Sequence, residues 1–491
     1  MKHHKASNLL IILALASITL FSCSEEKAPS SSEENVVPTY LKVGEPIKLL
    51  DGIKEDFSNG FYDGFDTLEE SNWIIGQGYW GEGNGGVSPE NVFITDDGQL
   101  MLRGLGSYYG KKEITSYGAF KDGRKTGACL ISKFGVKPGH YEIKMKVLPR
   151  QGACTAFWTY GNRPVEGEEN ENAEIDVELP GGSKSGKITF KKALNTNWVS
   201  EKLSDSVEFS VDEVTPNADY VAYNDNQYHT FGFDWYSDPE MVVYFVDGVI
   251  SNVSTTFIPM LEGRLWLGVW FPNGFTGASE FEEDYMFVDY VKYTPFIGQE
   301  VPSYNALPSI NSAPSTYYKD RVRKELKGNK ISNGDFEYVS KLDETSSLFD
   351  EIVKSRGFEY TKFISEKQDQ KDVCYPIKNT IHSNGGEYIA FVKDGGVLRQ
   401  DIDSVYEGYK YELGFDAMVT NLEKEVNATI KYLGNSVTDV IKKETIKIDS
   451  TSFKKYSLQL EAPVGCESIR VEVSGAKGVT CYIDNIAMFA K

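Results

Sequence analysis

Residues 173–182 read AEIDVELPGG, with Glu174, Asp176 and Glu178 on alternate positions and Ile175 and Val177 between them. Alternation is the period of a β-strand, so the three acids share one face while the two β-branched residues point the other way into packing. With 72 acidic residues in 491, such a triple is weak evidence by itself. A second one, Glu280, Glu282 and Asp284 in SEFEEDY, reads as a solvated loop. The flanks have to decide what the first one means.

Working outward, strand-like runs punctuated by Gly, Asn and Asp fill the chain from about 46 to 296: GQLMLRGL (98–105), GACLISKF (127–134), GHYEIKMKVL (139–148), YHTFGFDW (228–235), MVVYFVDGVI (241–250), GRLWLGVWF (263–271) and MFVDYVKYTPF (286–296). Their number, and the scarcity of helical periodicity, predict an all-β, two-sheet sandwich. All seven tryptophans fall in this segment. An aromatic content of 13% and 45 glycines suit the same architecture, rich in strands and turns. Residues 297–329, with Pro302, Pro308 and Pro314, read as an interdomain linker, with a short helix over KDRVRKELKG (319–328). From 330 to 491 a further set of short strands, from NKISNGDFEYVS to GVTCYIDNIAMFAK, predicts a second, C-terminal β-sandwich.

The N-terminus carries an address. Lys2 and Lys5 precede the apolar run NLLIILALASITLF, which stops at LFSC with Cys23. Residues 1–22 have the layout of an export signal, and the sequence resembles a bacterial lipoprotein leader in which Cys23 is lipidated. Residues 23–45, rich in Ser, Glu and Pro, read as a flexible tether. Ser24, Glu25 and Glu26 resemble the acidic tag of lipoproteins displayed on the bacterial cell surface. The expected partner there is the outer membrane, reached through the N-terminal lipid. A net charge of −21 argues against nucleic acid as a partner. The expected state is a monomer. Five cysteines follow Cys23, namely Cys129, Cys154, Cys374, Cys466 and Cys481. Their spacing does not suggest zinc, and Cys466 with Cys481 on neighbouring strands is as open a pairing as buried free thiols.

The flanks of the acid triple are specific. KTGACLISKFGVKPGHYEIKMKVLPRQGACTAFWTYG precedes AEIDVE, and YHTFGFDWYSDPEMVVYFVDGVI follows it. Over about residues 50–296 the chain resembles family 16 of the glycoside hydrolases. The resemblance implies a concave jelly-roll β-sandwich with an open cleft, endo-acting on polysaccharide. Breaking a glycosidic bond takes one carboxylate at the anomeric carbon and one carboxylic acid to protonate the departing oxygen. Straight-strand geometry sets the Cα atoms of Glu174 and Glu178 roughly 13 Å apart, so a curved sheet must lean the side chains together. By resemblance Glu174 is the nucleophile, Asp176 tunes it and Glu178 is the acid/base. Three carboxyls so close hold a proton between them near neutral pH.

Pyranose rings stack on aromatic faces. Trp158, Trp198, Trp270 with Asn273, and Trp80 are the candidate substrate-binding residues, whereas Trp235 and Trp266 read as core. His140 and His229 read as structural, with His229 a second candidate to line the cleft. The five-residue form Glu-Ile-Asp-Val-Glu resembles lichenase-like and endo-β-galactosidase-like members more than laminarinases, which carry one extra residue. The expected function is a retaining endo-hydrolase of β-glucan or a β-galactoside-containing glycan. A surface glycan-binding protein that cleaves nothing, and a transglycosylase, are the alternatives. A basic patch of Lys111, Lys112, Lys121, Arg124 and Lys125 would adapt it to sulfated polymers.

ISNGDFE and YIDNIAMF resemble the opening and closing strands of the family 4/9 carbohydrate-binding modules. That resemblance implies a structural calcium held by Asp335, Glu337 and Asp484, for which surface acids without metal are the alternative. Phe358, Tyr360 and Tyr375 are the sugar-platform candidates there, and a mere spacer is the other reading. No organic cofactor is required by this chemistry.

Overall fold

The computed structural model describes residues 37–78, 86–107, 125–182, 190–214, 222–272, 275–304, 306, 311–312, 318, 322–323, 328–331, 334–336, 364–365, 373–402, 405 and 407–491. Cys23 with the leader, Trp80, Asn273, Glu337, Phe358, Tyr360, Lys111, Lys112, Lys121 and Arg124 lie outside the described residues.

The fold is nearly all-β, a jelly-roll sandwich followed by further C-terminal sheets. One sheet of the first sandwich runs, in spatial order, through Ser204–Ser210, Lys192–Trp198, Glu174–Pro180, Cys154–Tyr160, Gly263–Trp270, Ala128–Val136, Trp73–Gln77 and Asn311–Ser312. The opposing sheet runs through Val249–Ser254, Glu240–Val246, His229–Ser237, Gly139–Lys146, Glu283–Pro295, Leu100–Leu105, Val92–Thr95 and Val322–Arg323, with Phe61–Asp63 paired beside Glu283–Pro295. Between them lies one apolar core that includes Trp73, Tyr141, Phe157, Ile175, Val177, Phe233 and Trp235, and so Trp235 is core as its sequence setting predicts. Gly139–Lys146 alternates buried and half-buried residues, the mark of a strand with one face in the core and one toward solvent.

The segment expected as a linker also serves the first sandwich. Asn311–Ser312 pairs with Gln77 and Gly76, and Val322–Arg323 pairs in parallel with Ile94 and Thr95. The second pairing replaces the expected helix at those two residues. Each short strand covers a sheet edge that would otherwise leave its backbone donors and acceptors open to another chain, a tertiary reward that local helix propensity does not match.

The C-terminal region forms two five-stranded sheets, with Ile364–Ser365, Val397–Ile402, Ser468–Ser474, Asn427–Leu433 and Val440–Lys447 in one, and Cys374–Lys378, Tyr388–Lys393, Thr480–Ala490, Lys410–Val419 and Lys454–Glu461 in the other. Its core includes Ile331, Phe336, Leu413, Phe415, Ile430 and Ile483. The opening segment runs against the closing strand: Lys330 N–H donates to Met488 O at 2.7 Å and Ile486 N–H to Gly334 O at 2.9 Å. A Cβ on Gly334 would sit 1.8 Å from the Ile486 carbonyl oxygen, so the glycine of ISNGDFE permits that approach.

The second acid triple is only partly what its loop-like sequence suggests. Asp284 is 4% exposed. It accepts from Arg150 Nε at 2.7 Å, and Lys330 Nζ lies 3.9 Å away. Lys330 Nζ also donates to Pro149 O at 3.4 Å, and Arg150 Nη2 donates to Asn329 O. Burial pulls the Lys330 ammonium down to about 7, against the opposing charge of Asp284. The acid therefore anchors residues 329–330 to the first sandwich. Glu280 is exposed, as expected.

His229 does not line the cleft. It sits at the head of a strand of the opposing sheet, its ring nitrogens 2.7 Å from Asp247 Oδ2 and 3.1 Å from Asp225 Oδ2. His140 is held likewise, 2.7 Å from Asp234 Oδ1. All five described cysteines are buried free thiols, which removes a Cys466–Cys481 pairing.

Candidate active site

The strand Glu174–Pro180 is flanked by Lys192–Trp198 on one side and Cys154–Tyr160 on the other. Register pairs Glu174 with Trp198, Asp176 with Thr196 and with Trp158, and Glu178 with Leu194 and with Ala156. Directly paired residues share a face. The three acids therefore look out from the core on the same side as Trp198, Trp158 and Ala156, while Ile175 and Val177, 0% and 2% exposed, fill the core behind them.

On this outer side a second apolar layer, separate from the sandwich core, is made by Ile74, Val87, Cys129, Ile131, Ala156, Trp158 and Trp266, with Tyr160 and Trp270 packed at its margin. Trp266 thus belongs to the cleft side and not to the core. Its ring lies 5.4 Å from Trp158 at 31° and 5.7 Å from Tyr160, edge to face. The dense apolar run GRLWLGVWF hides this, because both faces of that strand are covered, one by the core and one by the aromatic layer. Trp270 is half-buried and meets Phe275 edge to face at 6.1 Å.

Each acid has one specific polar neighbour. Asn172 Nδ2 donates to Glu174 Oε2 at 2.7 Å, Trp198 Nε1 donates to Asp176 Oδ2 at 3.1 Å, and Cys154 Sγ lies 3.8 Å from Glu178 Oε1. Burial and the charge of Glu178 push Glu174 up to about 7, and the Asn172 amide opposes the rise. Burial likewise raises Glu178 to about 7, against the Cys154 contact. Asp176 is driven well above the usual carboxylate range by burial and then by the charges of Glu174 and Glu178. The Tyr160 hydroxyl is pushed up to about 12 by burial and by Glu174, with Glu201 and Tyr304 adding to it. At neutral pH this strand therefore offers both a protonated and an ionised carboxyl in one cluster, the two forms that acid–base work on a bond requires.

Residues 93–274 match the model of the glycosyl hydrolases family 16. The chain carries a family 16 domain and is a glycoside hydrolase. Over 246 residues it is 28% identical to the beta-glucanase of Paenibacillus macerans, covering 48% of this chain and 87% of that protein. Over 260 residues it is 27% identical to the beta-glucanase of Paenibacillus polymyxa, covering 50% and 93%. The solved structure of the Bacillus licheniformis beta-glucanase is similar over 48% of this chain and 99% of its own, with 20% identity and a TM-score of 0.38.

Within the family 16 domain, Trp158, Trp198 and Trp270 all fall on the acid side of the sheet, as their candidacy requires. Sequence reasoning passed over Asn172, Tyr160 and Cys154. The signal that finds them is the same alternation: Tyr160 is two residues past Trp158, Cys154 is four before it, and Asn172 is two before Glu174. Asn172 is 4% exposed, and its Oδ1 is buried without a hydrogen-bond partner among the described residues. Such an atom costs roughly 1–3 kcal/mol.

Of the three C-terminal donors implied for calcium, Asp335 and Asp484 are described and Glu337 is not. Asp335 is exposed, and the carboxylate of the fully buried Asp484 already lies 2.9 Å from His382 Nδ1. Burial raises Asp484 to about 6, against that hydrogen bond, and the charge of Asp335 adds to the rise. Among the described residues no group of three or more His, Cys, Asp or Glu side chains is arranged to hold a metal ion. Tyr375 packs against Phe391, ring centroids 5.0 Å apart.

Proposed function

We propose that the protein is a retaining endo-β-glucanase, with Glu174 as nucleophile and Glu178 as acid/base. The observation that carries this reading is the set of three alternating carboxyls, Asp176 buried and Glu174 and Glu178 half-buried and held near neutrality, on the face that also presents Trp158, Trp198 and Tyr160. The names of the beta-glucanases it resembles support β-glucan as the substrate class.

In the first step a Glu174 oxygen forms a bond to the anomeric carbon, the bond from that carbon to the leaving sugar's oxygen breaks, and Glu178 gives its proton to that oxygen. In the second, Glu178 takes a proton from water as the water oxygen displaces Glu174, which leaves as a carboxylate. Asp176, raised well above the usual carboxylate range by burial and by the charges of Glu174 and Glu178, lies between the pair and tunes it. The half-buried faces of Trp198 and Trp270 hold the chain by stacking, with Trp158 packed behind them. Export behind the leader, lipidation at Cys23 and display at the outer membrane complete the proposal, and the leader's charge and apolar pattern support them.

The test is digestion of soluble mixed-linkage β-glucan, with anomer configuration followed by proton NMR during the first turnovers. Retained β-anomer and oligosaccharide products, both lost in Glu174→Gln, are expected. Inverted product, or full activity in Glu174→Gln, overturns the assignment.

A further inference from the structure

Asn172 stands beside the catalytic strand, on the two-residue strand Glu171–Asn172. Its backbone N–H donates to Val199 O at 2.9 Å, which ties the residue to the turn after Trp198. Its side chain spends one donor on Glu174 Oε2 at 2.7 Å and leaves Oδ1 buried with no hydrogen-bond partner among the described residues. Exchanging the two ends of the amide would press that oxygen against the carboxylate in the ionised form that attacks. A residue whose sole task was packing would be replaced at lower cost by an aliphatic side chain of the same size. The local price is borne for the contact with Glu174.

We propose that Asn172 is a positioning residue that fixes the Glu174 carboxylate for attack. This rests on the reading of Glu174 as nucleophile. Donating to Oε2 pins the plane of the carboxylate and leaves Oε1 as the attacking oxygen. The same bond favours the ionised form, opposing burial and the charge of Glu178. The other groups around Glu174 do not replace it. Asp176 and Glu178 on its own strand are acids. Tyr160, from the neighbouring strand, feels the Glu174 charge and those of Glu201 and Tyr304, and keeps its own proton to about 12. Trp198, directly paired with Glu174, gives its N–H to Asp176. The Arg264 guanidinium, paired across from Tyr160, donates to the carbonyls of Ser132 and Lys133.

The experiment compares full-length wild type, Asn172→Ala and the near-isosteric Asn172→Leu on soluble β-glucan and on an aryl β-glucoside oligomer with a dinitrophenyl leaving group, which departs without a proton. Loss of one charge-assisted hydrogen bond predicts a fall in kcat of about tenfold to a hundredfold, with KM changed by less than about twofold. The loss persists on the dinitrophenyl substrate, since the defect is in attack and not in protonation. The acid limb of the kcat/KM profile moves to higher pH, because Glu174 ionises less readily without the amide. The melting temperature of Asn172→Leu equals or exceeds that of wild type. Wild-type kcat with an unmoved acid limb in either folded variant overturns the proposal, as does recovery of full rate on the dinitrophenyl substrate. If Glu174→Gln is dead while Asn172→Ala behaves as wild type, only the role of Asn172 falls. An active Glu174→Gln removes the nucleophile reading and this proposal together.

Discussion

Replacing Glu178 by Gln should stabilise the fold at alkaline pH and do little in acid. The Glu178 carboxyl sits at about 7 in the folded protein against an ordinary 4.5, because burial disfavours its charge. Below pH 4.5 the group is protonated whether the chain is folded or not, and contributes nothing. Between 4.5 and 7 the unfolded chain ionises first, so stability is progressively lost as pH rises, and above 7 the full cost is present. At about 1.4 kcal/mol per pH unit the rise corresponds to about 3 kcal/mol. Glutamine keeps the shape and removes the ionisation, and it also relieves Glu174, which feels the Glu178 charge. With about 2–4 °C of melting temperature per kcal/mol for a domain of this size, the variant should melt about 6–12 °C above wild type at pH 8.5. Scanning calorimetry of both proteins at pH 4.5 and 8.5 measures this. A variant equally stabilised at both pH values, or less stable at 8.5, would refute the claim that the carboxyl is desolvated and poised.

Because Glu174 and Glu178 both stand at about 7 and must carry one proton between them, the kcat/KM profile should be a narrow bell centred near neutral pH; a plateau reaching from pH 4 to 6 would contradict it. Trp198→Phe removes the 3.1 Å bond to Asp176 while keeping an aromatic face, and should cost about tenfold in kcat/KM on β-glucan. Asp284→Ala leaves Arg150 and Lys330 buried without their anion and should cost about 3–5 kcal/mol in urea unfolding, whereas an exposed acid would cost nothing measurable. The thiols at Cys129, Cys154, Cys374, Cys466 and Cys481, all buried, should stay unreactive toward Ellman's reagent until the protein is denatured.

How much of this was legible in the chain follows from where information is local. Alternation is local, so the acid strand, its face and the sandwich architecture could be read from AEIDVE and its flanking runs. Trp198 and Trp158 were legible for the same reason, each being a bulky ring near the acids in sequence. Long-range contacts were not. Asp284 sits in a run of acids that looks solvated, and only folding brings Arg150 and Lys330, 134 and 46 positions away in the numbering, to it. Trp266 lies in a run apolar on both sides, where no period separates the cleft layer from the core. Val322–Arg323 was masked by a helix-like pattern, because the value of sealing a sheet edge is set by Val92–Thr95 and not by neighbouring residues. Asn172 was readable in principle, yet nothing in its sequence marks an amide with one end committed and the other unpaired.

The most direct test of the account is to trap the reaction midway with a 2-deoxy-2-fluoro β-glucosyl oligomer bearing a dinitrophenyl leaving group, and to map the adduct by peptide mass spectrometry. A single glycosyl label on Glu174, released when an acceptor sugar is added, is the predicted result. An adduct on Glu178 or Asp176, or turnover of substrate with no adduct at all, would contradict it.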